Sequence, residues 1–362
     1  MKALTIGGAM IDTIAIIESD RIERMSMLNA DTSFLLLEEG RKTEAIEVST
    51  HCGGGAVNTA VAMARLGVDV APLIKLGHDA RADMILNKLS AEGVSTQWVV
   101  RDASAPTGAS VLISSHERNA AVFTFRGVNA LLALSDLSDA AFDADLVHVS
   151  GLSNRSAECY PAIIEKAKDA GALVAVNPGV RQLSARSGDF LEYLAKVDIL
   201  TINRQEADSL VAGLVSRFGE GGTALALAAG EEPPPLLARG LVGGGYEMTL
   251  PCFLTALRRL GPSYIMLTDG PGGAFVCSDE GIAYCPAVRA AVAGTAGAGD
   301  AFAATFAAFI ALRSPSDTSL KAATLNAASV VTHIDTQTGL LTRQALEAQL
   351  SKTAVQLRKW KL

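Results

Sequence analysis

The sequence predicts an α/β protein built on a mostly parallel sheet with helices on both faces, and three observations carry that prediction. From about residue 137 onward, apolar strand-like runs alternate regularly with helical stretches, as in successive βαβ units. Ahead of them lie two patches of period-two alternation, separated by helical sequence, which suit a small antiparallel sheet. The chain has 362 residues, 49% of them hydrophobic, enough to bury a sizeable core within one large domain spanning 1–362.

Taken in order, "ALTIGGAMID" (3–12) reads as a short buried strand that ends in a Gly7–Gly8 turn, with Asp12 just beyond it. The alternating pieces "TIAIIE" (13–18), "SFLLLE" (33–38) and "TEAIEVS" (43–49) form the first β patch; "GASVLIS" (108–114) and "AAVFTFR" (120–126) form the second. Together, segments 13–50 and 97–128 are expected to make one exposed lid. Between them, "NTAVAMARLG" (58–67) is helical and stops at Gly67. The regular part runs from "DLVHVSG" (145–151), through helical 157–171 and strand 172–179, to "FLEYLAKVDILTIN" (190–203) and "SYIMLTDGPGGAFV" (263–276). Such sheets bind ligands beyond the carboxyl ends of their strands. Residues 213–247 cluster proline and glycine and read as an irregular surface insertion. No internal repeat is found.

Composition excludes several classes. Asp and Glu total 38 against 31 Lys and Arg, a net charge of −7, and aromatics make up only 5%. Without a basic stripe interleaved with aromatics, a nucleic-acid partner is not expected. Five scattered cysteines form no CxxC pair, which argues against a zinc site or disulfide framework and suits a reducing cytoplasm. The longest uncharged run, 48–64, contains His51, Asn58 and three glycines, so no transmembrane helix is expected. The opening "MKALTIGGAMIDTIAII" is broken by Gly7, Gly8 and Asp12 and suits a first strand better than a signal peptide. A cytoplasmic location is expected.

Chemistry concentrates at "GTAGAGDAF" (294–302). The Ala- and Phe-rich stretch 300–312 is apolar all round and predicts a buried helix. Gly297, Ala298 and Gly299 would present backbone N–H groups at its start, an anion pocket at the positive end of the dipole. Asp300 stands beside that pocket. On the local pattern it serves either as a base for a hydroxyl attacking phosphorus or as a complement to the helix dipole. A second glycine turn, Gly53–Gly55, precedes the helix bearing Asn58. Either it holds a ligand or it is a tight turn with Asn58 as a cap.

In order and spacing these pieces resemble the PfkB-type carbohydrate kinases of the ribokinase-like group. The resemblance runs from "GGAMIDTIA" through "GGGAVNTAVAMARLG", "FTFRGVNALL", "NRQEA" and "LTDGPGGA" to "GTAGAGDAF", nearly the whole chain. It implies a three-layer α/β/α sandwich with a β-sheet lid, and transfer of the γ-phosphoryl group of ATP to a sugar hydroxyl. By motif match it makes Asp300 the catalytic base, with Gly297, Ala298 and Gly299 as the anion hole. Asp12, Gly53, Gly54, Gly55 and Asn58 would hold the acceptor, and Arg126 would reach it from the lid. Asn203, Thr268, Gly270, Thr295 and Asn326 would border the nucleotide. Glu206 would position Mg²⁺ through water.

Three departures stand out. Gly294 occupies the position of an aspartate that helps hold a monovalent cation in many members, which removes the ground for expecting potassium activation. Ala175 replaces an acidic residue common at its strand end, and the segment between Glu206 and Thr268 is longer than usual. A nucleoside kinase of the same fold keeps the chemistry and changes the acceptor, with Phe34, Phe123 and Phe125 available as a platform for the base. A non-catalytic sugar-binding regulator is the rival of another class. The apolar lid strands suggest a homodimer through the lid.

Overall fold

The computed structural model describes residues 1–18, 23–26, 33–36, 40, 42–115, 120–185, 187–221, 225, 227 and 230–362. Its main sheet has nine strands. Six run parallel, in the spatial order Asp69–Leu73, Lys2–Ile6, Leu146–Ser150, Leu173–Asn177, Ile199–Asn203 and Tyr264–Thr268. Three antiparallel strands, Ala274–Ser278, Gly281–Cys285 and Arg358–Trp360, extend the far edge. Side chains alternate between two cores. Leu4, Ile6, Val147 and Val149 point to one face, under helices Tyr160–Asp169, Arg204–Phe218 and Leu250–Arg259. Ala3 and Leu146 point to the other, under Gly55–Arg65, Ala298–Ala311 and Ser316–Val330. Phe302 and Phe306 of the Ala298–Ala311 helix are almost wholly buried, each worth about 1.5–3 kcal/mol of apolar transfer. That helix is fixed rigidly against the sheet.

The lid is a four-stranded sheet in the order Ala120–Phe125, Gly108–Ser115, Met10–Ile17 and Ala45–Gly53. It starts at Met10, before the expected residue 13. Within 97–107, Val100–Arg101 pairs with Lys75–Leu76 instead of joining the lid. The expected strand at 33–38 is Ser33–Leu36, paired with Glu23–Ser26 in a separate ribbon; residues 37 and 38, and the side chain of Phe34, lie outside the described residues.

The expectation of an irregular 213–247 needs correction. Residues 213–218 complete the Arg204–Phe218 helix, and a short helix Pro235–Arg239 and a hairpin Leu241–Gly243/Tyr246–Met248 follow. Gly244 (φ +61°) and Gly245 (φ +84°) make the two-residue turn, a conformation with both φ positive that favours glycine. Leu236, Leu241 and Met248 are buried in the main core, so these pieces pack as part of the domain. Residues 222–224, 226, 228 and 229 lie outside the described residues. No described helix is long and apolar enough to cross a membrane.

Candidate active site

The carboxyl ends of the parallel strands converge with the starts of two helices. Asn203 pairs in register with Thr268, and Ser150 with Asn177, which lines polar side chains along one edge of the sheet. Opposite them, Gly297 adopts a left-handed conformation (φ +79°) and serves as N-cap of Ala298–Ala311. A Cβ there would stand 2.6 Å from that of Thr336, so glycine is required twice over. The helix begins at Ala298, and its first internal bond is donated by Ala301 N to Gly297 O at 2.9 Å. The amides ahead of Ala301 have no intrahelical acceptor, the condition for an anion site. Asp300 falls in this first turn.

A cavity of about 180 Å³ opens here, lined by Asn177, Thr201, Ile202, Asn203, Glu206, Thr268, Gly297, Gly299 and Asp300. Glu206 and Asn203 are held by a reciprocal cap: Asn203 N donates to Glu206 Oε2 and Glu206 N donates to Asn203 Oδ1, both at 2.9 Å. Burial pushes the Glu206 carboxyl up to about 7, and the nearby Asp300 carboxylate adds to that rise. Burial also raises the Asp300 carboxyl above the usual range, Asn58's hydrogen bond works against it, and Asp12 adds a smaller rise. Two acids facing one cavity with raised affinities for a proton have the donor chemistry for a hard cation. Among the described residues no cluster of three or more His, Cys, Asp or Glu could hold a metal alone. A magnesium ion sharing water and phosphate oxygens with one or two carboxylates needs no such cluster.

On the other side of Asp300 lie the residues expected to hold the acceptor. Asn58 Nδ2 donates to Asp300 Oδ2 at 2.8 Å. Ser110, on the neighbouring lid strand, donates a short bond to Asp12 Oδ1, and a Cβ on Gly53 would fall 2.0 Å from Asp12 Oδ2. Gly54 (φ +95°) packs against Gly8 O, and Gly55 against Ser150. Asp12, Gly53–Gly55, Asn58 and Asp300 are therefore one assembly.

The remaining expected residues divide. Asn203 and Thr268 line the cavity, whereas Thr295 and Gly270 are exposed and outside its lining. Arg126 is half-buried at the base of the lid near Arg181, outside the cavity lining. Asn326 is not brought to the cavity. It is fully buried, donating to Thr305 Oγ1 at 2.8 Å and accepting from Leu341 N at 2.9 Å, so it braces two helices. Asn177, Thr201, Ser110, Thr336 and Gln337 were not singled out from sequence as site residues. Asn177 could have been found from its place at a parallel strand end; Thr336 and Gln337 lie in no motif.

The family described as pfkB family carbohydrate kinase matches residues 22–230 and 254–343. The chain belongs to the pfkB family of carbohydrate kinases, and is a phosphotransferase acting on a sugar-type alcohol. It is similar to a deoxyribokinase of Salmonella typhi, 27% identical over 90% of this chain and 94% of the relative. A ribokinase of Staphylococcus aureus is 28% identical over 53% of this chain and 63% of its own length. In structure the chain resembles an Arabidopsis thaliana ribokinase complexed with ribose and ATP, with a TM-score of 0.69 at 20% identity, covering 96% of this chain and 98% of that one. A Burkholderia thailandensis nucleoside kinase in complex with inosine gives a TM-score of 0.67 at 19% identity, covering 97% and 98%.

Proposed function

We propose that the protein phosphorylates a hydroxyl of a free pentose or similar sugar with ATP, using Asp300 as the base. The observation that carries this is the placement of Asp300: one carboxylate oxygen is held by Asn58, at the seam between the Asp12 assembly and the Glu206 cavity. An acceptor hydroxyl beside Asp12 and Asn58 would attack the γ-phosphorus in line and pass its proton to Asp300. The amides of Gly297, Ala298 and Gly299 would bind the transferring phosphoryl oxygens, and Asn203 and Thr268 would border the nucleotide phosphates. Glu206 would hold Mg²⁺ through water, and that ion would offset phosphate charge. Arg126 would contact the acceptor from the lid edge.

The sugar reading is favoured over the nucleoside one by the lid's register. Asp12, Ser110 and Thr124 align across the strands on one face, whereas Phe123 and Phe125 alternate to the opposite face. Neither ring therefore stands beside Asp12 as a platform for a base. That opposite face exposes Val48, Val111, Phe123 and Phe125, which supports a homodimer through the lid. A monomer in sedimentation at micromolar concentration would contradict the dimer. Gly294 supports potassium independence: a Cβ there would lie 3.1 Å from His333 O, leaving little room for an acidic side chain. The free thiols, with Cys159, Cys277 and Cys285 buried, support a cytoplasmic location.

The test is ATP consumption across pentoses, hexoses, sugar acids and nucleosides. Turnover with a pentose, abolished by Asp300→Asn, is the expected result. Nucleosides alone as substrates would transfer the reading to the nucleoside kinase, and binding without any turnover would overturn it in favour of a regulator.

A further inference from the structure

A chain of hydrogen bonds runs from a backbone carbonyl to the carboxylate of Asp300, and its polarity is set at the far end. Cys52 O can only accept. Gln337 Nε2 donates to it at 3.0 Å and with its other proton donates to Asn58 Oδ1, also at 3.0 Å. Thr336 Oγ1 donates to the same Asn58 oxygen at 2.8 Å. With both acceptor sites of Oδ1 filled, the Asn58 amide cannot turn over, and its Nδ2 must face Asp300 Oδ2. Gln337 Oε1 is buried without a partner, the cost of keeping the amide nitrogen on this side. Asn58, Thr336 and Gln337 are all nine-tenths or more buried.

The loop carrying Thr336 and Gln337 is itself anchored. Asp335 Oδ1 accepts from Gln337 N at 2.8 Å and Thr338 N at 2.7 Å. Arg65, forked onto Glu92, sends Nη1 to Gln337 O and Leu340 O at 2.9 and 2.8 Å. Thr336 also packs against Gly297, so one loop touches both the anion-hole turn and the asparagine that holds Asp300.

We propose that Thr336 and Gln337 are positioning residues that lock the Asn58 amide, so that Asp300 Oδ2 is always held and Oδ1 is left to take the acceptor's proton. This rests on the kinase reading of Asp300, but the lock itself does not. Neither residue touches the reacting atoms. Their effect passes through Asn58, and so bears on turnover rather than on nucleotide binding.

Two measurements test it. In ligand-free protein, the Asn58 side-chain amide is identified by ¹⁵N NMR as the pair missing from Asn58→Asp. One of its protons is expected downfield, moving on Asp300→Asn and again on Thr336→Val. An Asn58 pair with ordinary shifts, indifferent to Asp300→Asn, overturns the lock whether or not the protein proves to be a kinase. In turnover assays, Thr336→Val and Gln337→Met are expected to lower kcat by about 10²-fold while the KM for ATP is kept, and Thr336→Ser to restore most of it. Gln337→Glu, which faces Asn58 with an acceptor and turns its amide over, is expected to lose the most. Wild-type kcat in Thr336→Val and Gln337→Met overturns the positioning role while leaving the kinase reading intact; no turnover in wild type overturns the kinase reading instead.

Discussion

The two glycine-rich turns look alike in sequence, each a run of small residues leading into a buried helix, yet their glycines serve opposite ends. At Gly53–Gly55 every missing side chain is space already taken by protein. Added Cβ atoms would meet Asp12 Oδ2 at 2.0 Å, Gly8 O at 2.5 Å and Ser150 Cβ at 2.6 Å. At Gly297–Gly299 the first glycine is similarly constrained, by Thr336, but a Cβ on Gly299 would meet nothing within 4 Å. Gly299 also lines the cavity. One turn is glycine-rich so that the protein can close on itself and aim Asp12 and Asn58. The other leaves open space and bare amides at the edge of the cavity, the condition the proposed anion site needs.

The contrast is broken most directly at Gly299. Gly299→Ala fits without a clash and removes a helical glycine, so its melting temperature should equal or exceed the wild type's, while kcat falls by about 10²-fold as the methyl enters the anion's space. Unchanged kcat would show that the open space is not used. Gly55→Ala should do the reverse first: overpacking against Ser150 should cost about 1–3 kcal/mol in denaturant unfolding, with any loss of activity secondary. Equal stability would mean that Ser150 yields easily and that the two turns differ less than their geometry says.

Glu206 sharpens the comparison through pH. Its folded pKa of about 7 lies above the ordinary glutamate value of about 4.5, so the folded state holds a proton that the unfolded state gives up between those values. The ligand-free protein is thereby penalised as pH rises from about 4.5 to 7, by on the order of 2–3 kcal/mol. Glu206→Gln keeps an acceptor for Asn203 N and removes the penalty. It should melt above wild type at pH 8 and beside it at pH 4.5, and a gap that does not vary with pH would refute the buried-acid account. The smallest expected effect is that of potassium, which should change turnover less than about twofold, within the scatter of a single weak ion contact.

Much of this arrangement was legible because it is local. The glycine turn at 297–299, Asp300 and the apolar helix occupy one short stretch, and helix geometry alone ties them together. The parallel core was legible because its strands are long enough to show their pattern. What escaped were features made by chain folding. Thr336 lies 278 residues from Asn58, and nothing in "DTQTG" advertises the contact. The hairpin at 241–248 has three-residue strands, too short to show a period, so its Gly-Gly turn read as disorder of pattern rather than as a connection. The resemblance assigned Asn326 to the nucleotide, but nothing in the sequence could reveal that Thr305 and Leu341 already occupy its amide.

The most direct test of the central claim is a single-turnover experiment with γ-labelled ATP and a pentose acceptor, run on wild type and Asp300→Asn with ATP affinity measured on the same preparations. The predicted result is unchanged ATP binding with transfer slowed by about 10²–10⁴-fold. Transfer at the wild-type rate in Asp300→Asn would contradict the account, because the residue at the seam of the two turns would then not be the base.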